Sequence, residues 1–219
     1  MSNLLFKINL LKDIIIKRKW GFIPFIFYEF YFDKKYQIKT GGLMLLKDLN
    51  IPNASKVFAK DYMPSNYYIF KKSLKRIPEE IKHETFIDFG CGKGRVLLMA
   101  AESGFKKIVG IDFSDDLIKI CLKNLEVYRN KNSCEFEVIC VDALLYSIPK
   151  NATLFYFYNP FWPEVFSQIV SKIVESIKAN PREAYVIYIN PLYSELFDVK
   201  NFEKIDEYKD DFKIYKIRS

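Results

Sequence analysis

The sequence predicts an α/β fold built on a mostly parallel sheet with helices on both faces. Short apolar segments alternate with segments of helical periodicity from residue 83 onward. A glycine-rich corner joins the first predicted strand to the following helix, and the last residues alternate apolar and polar side chains, as an antiparallel hairpin does. With 219 residues, half of them apolar, the chain is long enough to bury one substantial core.

The N-terminal region is predicted to be largely helical. Apolar residues recur at helical spacing over 3–19, which predicts an amphipathic helix. Residues 21–32 are very aromatic but too short to span a bilayer; they either pack on the core or touch the substrate, with interfacial membrane contact as the alternative. Residues 33–42 have the composition of a loop, and a further helix is expected over 65–76.

The second region alternates strands and helices. Strands are predicted at 86–89, 108–111, 136–141, 153–158 and 184–189, with a closing hairpin at 202–209 and 212–217; helices are expected at 94–103, 114–129 and 163–179. The first five strands end in polar residues, which are Asp88, Asp112, Asp142, Asn159 and Asn190. Because the carboxyl ends of parallel strands share one edge of a sheet, we expect a ligand site there.

The corner after the first strand reads Asp88-Phe-Gly90-Cys-Gly92-Lys-Gly94-Arg95. Its third glycine comes one residue earlier than in the dinucleotide fingerprint G-x-G-x-x-G, and Arg95 stands where that fingerprint needs glycine. This spacing disfavours a nicotinamide oxidoreductase. An acidic residue two positions before the first glycine is awkward beside a pyrophosphate and suits a cationic ligand.

The pattern D-x-G-x-G-x-G resembles motif I of the class I S-adenosylmethionine-dependent methyltransferases. The resemblance implies the Rossmann-like fold of that family, a seven-stranded mixed sheet in the order 3-2-1-4-5-7-6, and S-adenosylmethionine as cofactor. It also implies that 1–82 is a helical, basic extension that packs on the core and lids the cofactor, and that 83–219 is the methyltransferase domain. The lead-in Tyr62-Met-Pro-Ser65 is similar to a broad bacterial group of unassigned substrate. It is also similar to the lysine methyltransferases of the ATP synthase c-subunit type, although Asp112 replaces the glutamate–asparagine pair of that type.

The resemblance also implies a set of cofactor-binding residues. These are Tyr62, Asp88, Gly90, Cys91, Gly92, Gly94, Asp112, Phe113, Asp142, Ala143 and Asn159. Asp112 follows Gly90 by close to the ~20 residues at which an acidic side chain meets ribose hydroxyls. Asp142 either contacts the cofactor or closes a turn.

Asn159-Pro160-Phe161 resembles the N-P-P-[FY] motif of amino-methylating enzymes, without its second proline. The implied catalytic residues are therefore Asn159, Pro160 and Phe161: the amide and the proline carbonyl accept hydrogen bonds from the target nitrogen, and the aromatic face packs on the substrate. The alternative is that Asn159-Pro160 only ends a strand. Tyr67 and Trp162, together with Tyr62 and Phe161, have two possible roles. They either line a pocket for the acceptor or are aromatic residues of the core and of the rim of the site.

The remaining composition excludes several classes of site. The single histidine, His83, precedes the first strand and so belongs to the opposite edge of the sheet, which disfavours oxygen methylation by a histidine base. Four cysteines without C-x-x-C spacing predict no metal site. Reduced thiols and the lack of a signal-peptide pattern indicate a cytoplasmic protein without a transmembrane segment.

Charge is unevenly distributed along the chain. Residues 1–82 carry 16 Lys/Arg against 7 Asp/Glu, a balance of +9, whereas 83–219 carry 18 against 20, a balance of −2. The basic segment is either a solvated helical face or a surface for nucleic acid, acidic protein or anionic lipid. We therefore expect a methyltransferase acting on a nitrogen of a protein side chain or small molecule. The alternatives are a nucleic-acid amino-base methyltransferase and a non-catalytic S-adenosylmethionine-binding module.

Overall fold

The structure, a computed structural model, describes residues 31–49, 61–128 and 134–218. The predicted helix over 3–19 and nearly all of the aromatic segment 21–32 lie outside these residues. None of the helices within the described ranges combines the length and apolar character that crossing a bilayer requires.

Seven strands form one mixed sheet. They are β1 (Thr85–Phe89), β2 (Lys107–Asp112), β3 (Glu135–Cys140), β4 (Ala152–Tyr158), β5 (Ala184–Ile189), β6 (Phe202–Tyr208) and β7 (Phe212–Ile217). Their order is β3-β2-β1-β4-β5-β7-β6, as predicted. The first five strands run parallel to one another, and β7 runs antiparallel to both β5 and β6. The predicted fold class is confirmed.

Within the described ranges, four longer helices accompany the sheet. They are α1 (Tyr67–Leu74), α2 (Arg95–Glu102), α3 (Asp115–Tyr128) and α4 (Pro163–Ala179). Two of the starts have a clear local cause: the side chain of Asn66 accepts a hydrogen bond from the backbone N–H of Ile69 at the head of α1, and proline occupies the first position of α4. Short 3₁₀ turns lie at Leu46–Asp48, Glu79–His83 and Ser194–Phe197.

Two apolar layers enclose the sheet. One face packs against α1, α2 and α3, and the other packs against α4 and the turn Ser194–Phe197. Successive β1 residues alternate between them: Phe86 belongs to the first layer and Ile87 to the second. A strand covered on both faces has no polar side to present, which explains the nearly continuous apolar runs of β1 and β4.

The predicted loop over 33–42 begins too early. Residues 31–36 are helical, and this helix places Phe32 and Tyr36 on one side, buried in the first apolar layer with ring centroids 4.9 Å apart. The polar residues between them are the solvent face of a helical turn, which composition alone does not distinguish from a loop. The part of the N-terminal region that the structure describes thus shares its core with α2 and α3.

Candidate active site

A cavity of about 430 Å³ lies at the carboxyl edge of the sheet, beyond the ends of β1, β2, β4 and β5. The strand order reverses between β1 and β4, which is where open α/β sheets bind their ligands. The segment that leads into α1 forms the facing wall. The lining of the cavity, as far as the structure describes it, is mostly apolar. A few polar side chains converge on the cavity, as in small-molecule sites.

The glycine loop, residues 90–94, contributes Gly90 and Cys91 to the wall of this cavity. Gly90 has a φ of +87°, and a Cβ there would lie 3.0 Å from the Cβ of Pro160. The backbone N–H groups of Gly90 and Cys91 both donate to the carbonyl of Ile111, at 2.8 and 2.9 Å. Glycine is therefore required where the end of β1 approaches the segment after β4.

Asp112 anchors the glycine loop to the end of β2. Its Oδ2 accepts a hydrogen bond from the N–H of Gly92 at 2.9 Å, and its Oδ1 accepts one from the N–H of Ser114 at 2.9 Å. Burial raises the pKa of Asp112 to about 6, although these backbone hydrogen bonds oppose the shift. The carboxylate is thus largely ionised at neutral pH and lines the cavity.

Asp88 is the second carboxylate in the cavity wall and is only 2% exposed. Burial raises the pKa of Asp88 well above its ordinary value, and the nearby Asp112 raises it further. Within the described residues its side chain makes no hydrogen bond. A buried carboxylate without a hydrogen-bond partner, facing a cavity, suits a positively charged group that would lower its pKa again.

Tyr62 covers the glycine loop from the opposite side. A Cβ on Gly92 would come within 2.4 Å of two carbons of the Tyr62 ring, so the ring lies directly against this glycine. The Tyr62 hydroxyl donates to the carbonyl of Thr40 at 2.7 Å, and the Nζ of Lys93 lies 4.9 Å from the ring centroid. Burial raises the pKa of Tyr62, so its phenol remains neutral.

Residues 39–41, which we call the strap, cross over the glycine loop and are held by side chains from several elements. The Nε of Arg95, at the start of α2, donates to Thr40 Oγ1 at 2.7 Å, and Lys93 Nζ donates to the carbonyl of Gly41 at 2.9 Å. The side chain of Asn124 in α3 contacts both segments. It accepts a hydrogen bond from the backbone N–H of Lys39 in the strap and donates one to the carbonyl of Lys93 in the glycine loop. The strap therefore ties the N-terminal region to the glycine loop.

Asp33 completes this network below the strap. Its carboxylate accepts hydrogen bonds from the Thr40 hydroxyl and from the backbone N–H groups of Thr40 and Gly41, and it pairs with the guanidinium of Arg95. Arg95 is 3% exposed and also donates to the carbonyl of Ser65. A buried guanidinium needs such partners, and here they come from three separate segments of the chain.

The segment after β4 supplies the other side of the cavity. Asn159 has a left-handed backbone, with a φ of 42°, and its Oδ1 accepts a hydrogen bond from the hydroxyl of Tyr188 at 3.4 Å. Pro160 and Phe161 follow it in the cavity wall, and Phe161 is buried against α4 through Phe166. The residues of the predicted N-P-F motif are thus brought to the same cavity as the two carboxylates.

Most of the predicted site residues line this cavity. They are Tyr62, Asp88, Gly90, Cys91, Asp112, Phe113, Asn159, Pro160 and Phe161. Gly92 lies under Tyr62, and Gly94, with a φ of +82°, precedes α2 beside Cys121. Asp142 and Ala143 are not among the described lining residues: Asp142 Oδ1 accepts from the N–H of Leu144, which closes a turn, and Ala143 is buried in the second apolar layer. Their cofactor role stays a prediction.

The two aromatic residues with an open role lie elsewhere. Tyr67 packs on Phe32 with centroids 5.0 Å apart, and Trp162 is 45% exposed at the start of α4. His83 ends the 3₁₀ turn before β1 and so lies at the opposite edge of the sheet. Within the described ranges, no group of three or more His, Cys, Asp or Glu side chains is arranged to hold a metal ion.

Several lining residues were not predicted from the sequence. Ser65 and Arg95 flank the cavity through the network below the strap, and Met63 with Pro64 forms part of the facing wall. Asn190, which the sequence placed at the expected ligand-binding edge without assigning it a role, lines the cavity beside Asn159. The sequence feature that points to Asn190 is the Asn-Pro pair that follows each of two successive strands.

Comparison with known proteins agrees with this geometry. Residues 80–150 match the family model of a methyltransferase domain. The chain is 33% identical over 79 residues to the ribosomal protein L11 methyltransferase of Colwellia psychrerythraea, covering 32% of this chain and 27% of the relative. It is 30% identical over 96 residues to the rRNA N(6)-adenosine-methyltransferase metl-5 of Caenorhabditis elegans, covering 42% of this chain and 44% of the relative. The chain thus matches less than half the length of either relative.

A solved structure shares the fold. The RNA methyltransferase of Salinibacter ruber, in complex with S-adenosyl-L-homocysteine, superposes with a TM-score of 0.52 at 18% sequence identity, covering 71% of this chain and 92% of that chain. The strand order and the glycine loop flanked by two strand-end carboxylates agree with the matched domain model. Residues 80–150 are thus similar to a methyltransferase domain, and the sheet has the Rossmann-like fold of S-adenosylmethionine-dependent methyltransferases.

Proposed function

We propose that this protein is an enzyme that transfers a methyl group from S-adenosylmethionine to a nitrogen atom of a protein side chain or a small molecule. One observation carries the proposal. Two buried carboxylates, Asp88 and Asp112, share a cavity with the Asn159-Pro160-Phe161 segment. The two carboxylates suit a cationic adenosyl cofactor. The Asn159-Pro160-Phe161 segment suits an acceptor whose nitrogen donates hydrogen bonds.

The cofactor half of the cavity fits this role. S-adenosylmethionine, when bound, supplies a methyl group activated by a positive sulfur. Asp88, without a hydrogen-bond partner among the described residues, would bind the ammonium group. Asp112 would accept hydrogen bonds from the ribose hydroxyls, while Gly90 and Cys91 let the backbone approach the ligand. In this proposal Tyr62 and the strap form a lid, so that residues 1–82 contribute to cofactor binding.

The acceptor half is formed by Asn159, Pro160 and Phe161. A carboxamide oxygen accepts hydrogen bonds from N–H groups, and holding the nitrogen close to the methyl group is the main source of rate in such a transfer. Tyr188 fixes the Asn159 amide by donating to its oxygen. The described cavity wall contains no histidine. This composition favours nitrogen over an oxygen acceptor that needs a histidine base.

A nucleic-acid acceptor is the second candidate. It is favoured by the +9 balance of residues 1–82 and by the similarity to an rRNA adenosine methyltransferase over 96 residues. Against it, the basic side chain in the described cavity wall, Arg95, is already held by Asp33, Thr40 and Ser65. Binding to nucleic acid should weaken steeply as salt rises, because phosphate contacts release counterions.

We also propose a cytoplasmic location. Cys91, Cys121, Cys134 and Cys140 are free thiols, and two of them are buried in the core. Proteins of oxidising compartments usually pair such residues.

The experiment that tests the proposed function is transfer of a labelled methyl group from S-adenosylmethionine to a cell extract separated into protein, nucleic-acid and small-molecule fractions. We expect label in protein or small molecules. Label confined to nucleic acid would establish the second candidate, and no label in any fraction would contradict enzymatic activity.

Asn159→Ala should lower the rate of this transfer about a hundredfold, because the acceptor nitrogen loses its positioning contact. It should weaken S-adenosylhomocysteine binding far less. The matched control is Asn151→Ala, an exposed asparagine in the turn before β4, which should transfer at the wild-type rate. Equal rates for the Asn159 variant and this control would remove Asn159 from the acceptor site.

A further inference from the structure

Two neighbouring strands are each followed by the same dipeptide. Asn159-Pro160 follows β4 and Asn190-Pro191 follows β5. The parallel register pairs Tyr158 with Ile189, the last residues of these strands, so the two asparagines are the next residues on adjacent strands. Neighbouring strands lie about 4.8 Å apart, which places the two asparagines side by side at the carboxyl edge of the sheet.

Both asparagines have an unusual backbone conformation. Asn159 has a φ of 42° and Asn190 a φ of 49°. Positive φ is uncommon outside glycine, and it concentrates in turns and at functional sites. The other described non-glycine residues with positive φ are Gln37, just after the helical residues 31–36, and Lys209, in the turn between β6 and β7. The two asparagines, by contrast, line the cavity.

Both backbone hydrogen-bonding groups of Asn190 have partners, whereas its side-chain amide has none within the described residues. Its N–H donates to the carbonyl of Asp211, and its own carbonyl accepts from the N–H of Leu192, both at 2.9 Å. Across the part of the chain that the structure describes, the Asn190 side-chain amide makes no hydrogen bond, and the residue lines the cavity. An amide that can both donate and accept is therefore presented next to Asn159.

The segment after β5 is held in place relative to Asn159. The hydroxyl of Tyr188 accepts a hydrogen bond from the N–H of Tyr193 at 3.2 Å and donates to Asn159 Oδ1 at 3.4 Å. One buried side chain thus links the turn that contains Asn190 to the amide of Asn159. The backbone that carries Asn190 is therefore held in position relative to the Asn159 amide, as an acceptor site requires.

We propose that Asn190 is a second acceptor-binding residue, whose side-chain amide binds a polar group of the acceptor adjacent to the nitrogen that Asn159 holds. This inference rests on the proposed function. Asn190 would then help to determine which nitrogen acceptors fit, since a neutral amide favours a neutral hydrogen-bonding group at that position over a bare charge.

The test uses a cofactor analogue that reaches the acceptor side without requiring the natural acceptor. In this probe, the sulfur of S-adenosylhomocysteine is replaced by a nitrogen that carries a propionamide arm. Calorimetry on the full chain compares its affinity with that of S-adenosylhomocysteine. Asn190→Gly is the informative variant, because glycine adopts a left-handed backbone freely and only the amide is removed.

Asn190→Gly should melt at or above the wild-type temperature and bind S-adenosylhomocysteine within about twofold of wild type, but bind the armed analogue about tenfold more weakly. Asn190→Asp, which keeps the size of the side chain, should lose affinity for the propionamide arm and gain affinity for a 2-aminoethyl arm. If both variants bind all three compounds as the wild type does, asparagine serves only the turn, and the inference is overturned.

The outcomes also separate this inference from the proposed function. A wild-type protein that does not bind S-adenosylhomocysteine would contradict the proposed function itself. A wild type that binds S-adenosylhomocysteine but gains nothing from the propionamide arm would overturn the role of Asn190 and leave the proposed function standing.

Discussion

Asp112 shows how one residue serves both the fold and the proposed chemistry. Its two backbone hydrogen bonds hold the glycine loop and the start of α3, while its carboxylate lines the cavity. Burial opposes its ionisation, and ligand hydroxyls would stabilise the ionised form. In the free protein the ionised carboxylate therefore has a cost in stability, and that cost depends on pH.

The sign of this dependence follows from the raised pKa. Burial raises the pKa of Asp112 to about 6 in the folded protein, against about 3.9 when unfolded. The folded state thus binds its proton more tightly, so the contribution of this group to the free energy of unfolding falls as pH rises from about 4 to about 6. Above about pH 7, where the folded form has also lost this proton, the contribution of Asp112 is constant.

We predict that the stability advantage of wild type over Asp112→Asn shrinks by about 2–3 kcal/mol between pH 4 and pH 7 in the absence of ligand. Urea unfolding at several pH values measures this difference, and comparing the two proteins cancels the contributions of groups that do not interact with Asp112; Asp88 does interact with it. Parallel stability curves for the two proteins would show that Asp112 is not shifted.

At the residue scale, the sequence was informative where chemistry restricts the choice of side chain. The glycines, the two carboxylates and Asn159 were predicted because few residue types tolerate a left-handed turn or end a buried strand with charge. Asp142 was harder, because the same residue that contacts a cofactor also closes a turn by accepting from Leu144. Sequence spacing does not distinguish these two uses.

Among the elements, the strap is the one that joins distant parts of the chain. Thr40 is fully buried; its hydroxyl donates to Asp33 and accepts from Arg95. Removing the hydroxyl would leave a buried guanidinium and a carboxylate each short of a partner. Thr85, at the start of β1, is equally buried, but its hydroxyl has no hydrogen-bond partner within the described residues.

These two threonines form a matched pair. Thr40→Val should lower the free energy of unfolding by about 1–3 kcal/mol, because it leaves buried polar partners unsatisfied. Thr85→Val, nearly the same in shape, should be neutral or slightly stabilising, because it removes an unsatisfied buried hydroxyl. Denaturant titration of both variants measures the difference, and equal losses would contradict the role assigned to the strap.

The strands and helices were predicted closely, for a physical reason. Strands covered on both faces produce unbroken apolar runs, and the helices carry clear periodicity, so their ends fell within two residues of the prediction. The helical turn at 31–36 was missed because only two of its residues, Phe32 and Tyr36, face the core. The strap could not be predicted, since its contacts join Thr40 to Arg95 and Lys39 to Asn124, far apart along the chain.

At the scale of the whole molecule, the sheet order brings together residues from distant parts of the chain. Asp88, Asp112, Asn159 and Asn190 meet because β1, β2, β4 and β5 are parallel and end at one edge. The N-terminal region covers this edge through Tyr62 and the strap. The fold order was implied by family resemblance, whereas the closure over the glycine loop depends on tertiary hydrogen bonds that no local pattern encodes.

The central claim is that the carboxylate-lined cavity binds a cationic adenosyl cofactor. Calorimetric titration of the full chain with S-adenosylmethionine tests it most directly. We expect the wild-type protein to bind S-adenosylmethionine at one site, and Asp88→Asn to bind it at least about tenfold more weakly. The control Asp210→Asn, at an exposed position in the hairpin turn, should bind with wild-type affinity. Absence of binding at millimolar ligand, or equal affinities for all three proteins, would contradict the claim.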